Sequence, residues 1–106
     1  MGKLERKIAR ETKKQIFIKA KEVSDKLVLW NHPNKKSQLK PWDAQEVENL
    51  LWKYNKLDRL IYDRFGDDGW NHYKPSKFSE ADINLIYTET RNLTIFLKQL
   101  ETETKT

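Results

Sequence analysis

The chain has 106 residues, no cysteine and a net charge of +5, with 37% hydrophobic and 35% charged residues. This length is sufficient for one domain with its own hydrophobic core. The lack of cysteine excludes disulfide bonds, a thiol nucleophile and thiolate metal sites. The basic N-terminus lacks the apolar stretch of a signal peptide, and no apolar run has the length of a membrane span. We therefore expect one domain over residues 1–106, a cytoplasmic location and no membrane role.

The composition favours a helical fold. Only three glycines and three prolines are present, which favours long regular elements over a turn-rich β fold. The four Trp, four Tyr and four Phe argue against a disordered chain, because disordered chains are poor in aromatic residues. We predict an all-α fold of three main helices, arranged as an antiparallel three-helix bundle with long loops that contain aromatic residues.

The first predicted helix ends at Trp30 and has two unlike halves. Residues 1–15 are basic and carry few apolar side chains, so this half can protrude from the domain. Residues 16–30 complete the helix and are apolar on nearly all sides. The predicted core stripe consists of Leu4, Ile8, Thr12, Ile16, Ala20, Val23, Leu27 and Trp30. In a second interpretation residues 27–30 form a short extended segment, and the helix ends near Lys26.

The second predicted helix covers residues 43–65. Its start is marked by Asp43 as a capping residue, with Glu46 three positions later. Trp42 and Val47 can form a hydrophobic staple across this start. The predicted core stripe consists of Val47, Leu50, Tyr54, Leu57, Ile61 and Phe65, with Leu51 beside it.

The third predicted helix covers residues 79–101 and is followed by a tail, residues 102–106. Ser79 is the predicted capping residue, and Asp82 follows three positions later. Phe78 and Ile83 can form a hydrophobic staple across this start. The predicted core stripe consists of Ile83, Ile86, Thr90, Leu93, Leu97 and Leu100.

Two connections join the predicted helices, at roughly residues 31–42 and 66–78, and the same tripeptide, Trp-Asn-His, stands near the start of each, at residues 30–32 and 70–72. One interpretation is a diverged duplication of a helix, and the other is coincidence. The repeated stretch is too short to indicate a solenoid.

Basic residues are concentrated at the start of the chain. Residues 1–21 contain eight Lys and Arg and two Glu, a net charge of +6, whereas residues 22–106 have a net charge of −1. Clustered Lys and Arg bind nucleic-acid backbones by releasing counterions. We therefore predict that nucleic acid or an acidic protein surface is bound by Lys3, Arg6, Lys7, Arg10, Lys13 and Lys14, together with Lys35 and Lys36 of the first connection. The alternative is a solvated helix face that only keeps the protein in solution.

Several apolar residues lie off the predicted core stripes. Trp52, for example, points almost opposite the stripe of the second helix. Exposed apolar patches mark interfaces, and Trp is a favoured anchor in them. We predict a protein interface, in a homo-oligomer or with another protein, formed by Phe17, Ile18, Trp52, Leu60, Leu85 and Phe96. The alternative is that these residues contact a neighbouring helix or loop of the same chain.

No catalytic motif is present in the sequence. It lacks a nucleophile elbow, a P-loop and a glycine-rich dinucleotide turn. His32 and His72, with Asp67 and Asp68, lie in the two connections but lack the ligand spacing of a metal site. We therefore predict no catalytic residue, no metal and no cofactor.

Arg64 is followed at some distance by His72. This pairing resembles that of the HEPN-type small, all-helical ribonucleases, although the gap is longer here and spans a helix end. The resemblance implies RNA cleavage that depends on His72, which we keep as a minor alternative.

The leading hypothesis is a small non-enzymatic regulatory protein whose basic first helix binds nucleic acid or a nucleic-acid-handling protein. In this hypothesis the leftover apolar surface mediates self-association. The alternative is an inhibitor or adaptor of the phage or mobile-element type, which acts purely by protein–protein contact through exposed apolar helix faces.

Overall fold

A computed structural model of the chain describes the backbone of residues 3–104 and the side chains of residues 12–104. Within these limits every regular element is helical, so the predicted all-α class is confirmed. The elements are α1 (Lys3–Trp30), α2 (Pro33–Lys36), α3 (Pro41–Glu48), a π-helical turn (Asn49–Lys53), α4 (Lys56–Phe65), α5 (Gly69–His72), a 3₁₀ turn (Pro75–Lys77) and α6 (Glu80–Thr104). No helix among the described residues is both long and apolar enough to cross a bilayer.

The helix α1 is continuous up to Trp30, so the extended segment considered for residues 27–30 does not form. Among the side chains of α1 that the structure describes, Phe17, Ala20, Val23, Leu27 and Trp30 are buried. The buried stripe therefore includes Phe17 in place of the predicted Ile16, which is only half-buried.

Aromatic residues of the second connection cover Phe17. The ring centroid of Phe17 lies 3.5 Å from that of Tyr73, 5.3 Å from that of Trp70 and 5.7 Å from that of Phe78. These three rings come from residues more than fifty positions away in the chain. The long aromatic loop thus packs on α1 and completes the core there.

The start of α6 follows the predicted capping chemistry. The Ser79 hydroxyl accepts a hydrogen bond from the Asp82 amide at 3.1 Å, and the Asp82 carboxylate accepts one from the Ser79 amide at 3.2 Å. Phe78 is buried and Ile83 packs against the core beside it. This reciprocal capping satisfies two amides that would otherwise lack partners at the helix end.

The predicted second helix, residues 43–65, is not one helix. It begins earlier, at Pro41 with Lys40 at the cap position, because proline is well suited to the first helical position. Asp43 therefore lies inside the first turn rather than at the cap. Trp42 is 66% exposed, so the predicted staple does not form.

Two ion pairs show how α4 runs relative to α6. Arg64 and Asp82 are joined at 3.0 Å, and Lys56 and Glu89 at 3.5 Å. Since the partners advance in opposite directions along the chain, the two helices are antiparallel. The helix α6 also packs along α1.

The two Trp-Asn-His copies differ in structure. Trp30 ends a long helix and is followed by a turn, whereas Trp70 lies inside the short helix α5. The start of α5 fits closely against α4, since a Cβ at Gly69 would lie 2.7 Å from Cγ2 of Ile61. Gly66, at φ 86°, lets the chain turn back after α4.

Candidate functional site

The junction of α3 and α4 forms an open groove of about 570 Å³. Three exposed aromatic rings line it, those of Trp52 (79% exposed), Tyr54 (52%) and Tyr62 (56%). The other lining residues are Leu51, Lys53, Asn55, Lys56, Asp58, Arg59 and Asp63. We call this surface the aromatic groove.

A π-helical turn creates the groove. The Tyr54 amide donates to the Asn49 carbonyl at 2.7 Å, a bond that spans five residues instead of the four of an α-helix. The wider turn inserts one residue into the helix and rotates everything after it. Helical geometry then ends at Tyr54, which has φ −121° and ψ 27°. Such turns frequently occur at functional sites.

The side chain of Asn55 holds the two helical segments together. Its Oδ1 accepts a hydrogen bond from the Asp58 amide at 2.8 Å and so caps α4. Its Nδ2 donates to the Leu51 carbonyl at 3.5 Å, at the other side of the break. One side chain therefore links the π turn to the first turn of α4.

The break changes which residues face the core. In α4 the buried residues are Leu57, Leu60 and Ile61, which form the apolar stripe of a separate helix that begins at Lys56. Tyr54, predicted in the core, is half exposed. Leu60, predicted at an interface because it lies off the stripe of an unbroken helix, is only 7% exposed and belongs to the core.

Charges of both signs surround the three rings. The Lys53 ammonium lies 5.4 Å from the centroid of the Tyr54 ring, and Lys56 pairs with Glu89. Asp58 accepts a hydrogen bond from Nε1 of Trp70 at 2.9 Å. The groove therefore combines aromatic surface with mixed charge, rather than with a field of one sign.

The other predicted interface residues do not join the aromatic groove. Phe17 is fully buried under the loop rings, which removes it from any exposed interface. Ile18 and Phe96 are half-buried, and Phe96 packs against the core. Leu85 is 36% exposed on α6. Trp52 alone among the six predicted residues lines this groove.

Contacts within the chain hold three of the predicted basic residues. Lys13 donates to the Phe78 carbonyl at 3.2 Å, and Lys35 lies 4.7 Å from the centroid of the Trp30 ring. Lys36 pairs with Glu48. Lys14 is exposed, and the side chains of Lys3, Arg6, Lys7 and Arg10 lie outside the described residues.

The histidines and Arg64 make separate contacts. Nε2 of His72 lies 3.2 Å from Asp68 on an exposed surface, and His32 is exposed. Arg64 donates two hydrogen bonds to Asp82, which raise the pKa of Arg64 and hold the pKa of Asp82 below its ordinary value. In the part of the chain that the structure describes, no group of three His, Asp or Glu could hold a metal ion.

A pair of carboxyl groups connects the start of α3 to the end of α6. A hydrogen bond with Asp43 raises the pKa of Glu103, and the burial of Glu103 adds to this effect. Lys40 lies 3.8 Å from Glu103 and acts in the opposite direction. This pair lies outside the aromatic groove.

Sequence reasoning identified Trp52 but missed Tyr54 and Tyr62. A signal for the break was present, because Asn55 with Asp58 three positions later is the pattern of a helix start. The regular spacing of apolar residues across this point concealed it.

We compared the chain with models of known protein families, with curated proteins and with solved structures, and none of these matches it.

Proposed function

We propose that this protein is a small non-enzymatic adaptor or inhibitor that docks a partner protein in the aromatic groove, with Trp52 as the anchor. The observation that carries the proposal is the 79% exposure of Trp52 on a concave surface that two other exposed rings also line. Trp, Tyr and Arg are the residues most enriched at the energetic centres of protein interfaces. The groove offers all three types within one turn-linked segment.

The mixed charge of the groove favours protein over nucleic acid as its occupant. Single-stranded nucleic acids are bound by stacking rings set in a positively charged track. Here Asp58 and Asp63 line the same surface as Arg59, and Glu89 neutralises Lys56. A protein partner, with charges of both signs, is complementary to such a rim.

Trp42 provides a matched control for this proposal. It lies in α3, is 66% exposed and is absent from the lining of the groove. We expect Trp52→Ala to weaken partner binding by at least about 30-fold, since truncation of an anchor residue costs about 2 kcal/mol or more. Trp42→Ala should leave the affinity within about twofold of wild type.

The experiment is affinity capture from a lysate of the source cells, with and without nuclease, followed by measurement of Kd for the captured protein. We expect capture to survive nuclease and to be lost in Trp52→Ala but not in Trp42→Ala. Circular dichroism of both variants checks that they remain helical. Equal capture by the two variants would overturn the proposal.

A second candidate function, nucleic-acid binding by the basic first helix, is supported by the net charge of +6 over residues 1–21. It predicts that affinity for duplex falls with salt with a slope of roughly −0.9 per phosphate contact. Replacing Arg6, Arg10, Lys13 and Lys14 by Ala should flatten that slope. The absence of binding at low salt would exclude this function.

A further inference from the structure

A second groove lies between α1 and α6 and shares no lining residue with the aromatic groove. Its volume is about 470 Å³. Its lining residues are Gln15, Ile16, Lys19, Tyr87, Thr90, Arg91, Thr94, Ile95 and Lys98. We call it the cationic groove, because its lining includes three basic residues and no acidic one.

The groove contains apolar surface that the core of the chain leaves uncovered. Ile95 is 51% exposed and Tyr87 is 56% exposed, while Ile16 is half-buried beside them. The hydroxyl of Thr94 donates to the Thr90 carbonyl at 2.7 Å, so this polar group is satisfied within the helix. Apolar surface of this kind favours an apolar occupant.

The helix α6 therefore presents two apolar faces. Its buried stripe contains Ile86, Leu93, Leu97 and Leu100, which pack in the core. The residues that line the groove repeat at three- and four-residue spacing on another face, as Tyr87, Arg91, Thr94, Ile95 and Lys98. A helix with a second apolar face is suited to a further helical neighbour.

Basic residues surround this apolar surface. Arg91 and Lys98 are exposed on α6, and Lys19 is exposed on α1. The contact of Lys19 with Glu22, at 3.8 Å, is solvent-exposed and therefore weak. An occupant with acidic flanks is thus complementary to the groove.

The dimensions fit a helix. From Tyr87 to Lys98 the groove follows α6 for about 17 Å, which is three turns at 1.5 Å per residue. A shallower hollow lined by Ile95, Lys98, Gln99, Thr102 and Glu103 continues it towards the end of α6. An amphipathic helix bound in a groove makes its contacts at this spacing.

We propose that the cationic groove binds an acidic amphipathic helix of a partner protein. Its apolar face packs on Ile16, Tyr87 and Ile95, and its acidic flanks meet Lys19, Arg91 and Lys98. This site is separate from the aromatic groove, so either of the two proposals can fail without the other.

The test uses two labelled 18-residue amphipathic peptides with Leu at helical spacing, one flanked by Glu and the other by Lys. Binding is measured by fluorescence anisotropy and located by amide shifts in NMR spectra of the full chain. We expect the Glu-flanked peptide to bind more tightly than the Lys-flanked one and to shift the amides of Tyr87, Ile95 and Lys98. Equal affinity for the two peptides, no binding, or shifts confined to other surfaces would overturn the proposal.

Charge reversal sharpens the test. Arg91→Glu with Lys98→Glu should weaken the Glu-flanked peptide by roughly tenfold or more and strengthen the Lys-flanked one. Lys74→Glu with Lys77→Glu changes the net charge equally at exposed positions outside both grooves and should leave both affinities nearly unchanged. An equal effect of the two double variants would show that net charge alone drives binding and would contradict the proposal.

Substitutions of apolar residues complete the test. Ile95→Ala should weaken binding of the Glu-flanked peptide roughly fivefold, through lost apolar contact. Val28→Ala, at an exposed apolar position of α1, is the control and should have no effect. Trp52→Ala should also leave peptide binding intact. Competition by an oligonucleotide would assign the groove to nucleic acid instead. A dimer in sedimentation that Arg91→Glu with Lys98→Glu dissociates would assign it to a second copy.

Discussion

Two segments of equal length, residues 41–65 and residues 80–104, use the same kind of amphipathic sequence in different ways. The later segment is one uninterrupted helix, α6, closed at its start by Ser79 and Asp82. The earlier one is divided by the π turn and restarts at Asn55. Its division leaves Tyr54 half exposed, beside the exposed rings of Trp52 and Tyr62 that line the same groove. A one-residue change of helical register thus places a predicted core residue, Tyr54, on the lining of an open groove.

The largest expected effect tests this change of register directly. Leu60→Ala should lower the free energy of unfolding by about 3 kcal/mol, because it leaves a cavity in the core. Leu85→Ala, at a 36% exposed position of α6, should lower it by less than about 1 kcal/mol. Urea denaturation measures both. Equal losses would mean that residues 41–65 form one unbroken helix.

The second prediction concerns the closed start of α6. Asp82→Ala should cost about 2 kcal/mol at pH 7, since it removes the carboxylate that accepts hydrogen bonds from the Ser79 amide and from Arg64. Asp82→Asn should recover part of the loss by keeping the contact with the Ser79 amide.

The pH dependence of this contribution follows from the lowered pKa of Asp82. A carboxyl group whose folded-state pKa is depressed stabilises the fold above its ordinary value of 3.8 and loses that effect as pH falls through the folded value. The difference in stability between wild type and Asp82→Ala should therefore shrink as pH falls below 3.8. A difference that persists unchanged in strong acid would contradict this account.

A smaller effect is expected at the break itself. Asn55→Ala should cost about 1 kcal/mol, because α4 loses its cap and the link to Leu51. It should also loosen the groove, which a change in partner affinity would report. Asn92→Ala, at an exposed position inside α6, is the control. If Asn55→Ala and Asn92→Ala changed stability and partner affinity equally, that result would contradict a role of Asn55 in linking the two sides of the groove.

The smallest effect is expected at the carboxyl pair. Since the pKa of Glu103 is raised in the folded state, its contribution to stability is present below the ordinary value of 4.5 and is lost as pH rises through the folded value. Asp43→Asn removes the like charge, so it should be more stable than wild type near pH 7 and lose that advantage towards acid pH. Thermal unfolding over this range measures the difference. If Asp43→Asn were no more stable than wild type at neutral pH, that result would contradict the contact between Asp43 and Glu103.

The parts of the fold that the sequence predicts are those set by neighbouring residues. The Ser79 and Asp82 pair identifies the start of α6 because capping is a local interaction. Trp52 stands out because no helical stripe includes it. Both features are recognisable within a few residues of sequence.

The remaining features depend on distant contacts. Phe17 is buried because Trp70, Tyr73 and Phe78 cover it, and nothing near Phe17 in the sequence reveals this. The apolar spacing continues regularly across the π turn, so periodicity alone placed Tyr54 inside. The cationic groove likewise requires two helices that are far apart in sequence.

We propose that the broken helix presents Trp52 to a partner protein. The most direct test places the photo-crosslinking residue p-benzoylphenylalanine at position 52 and, as a control, at position 42. We predict that position 52 crosslinks to one partner protein in nuclease-treated lysate, while position 42 gives no such product. Equal crosslinking from both positions, or no protein product from position 52, would contradict the account.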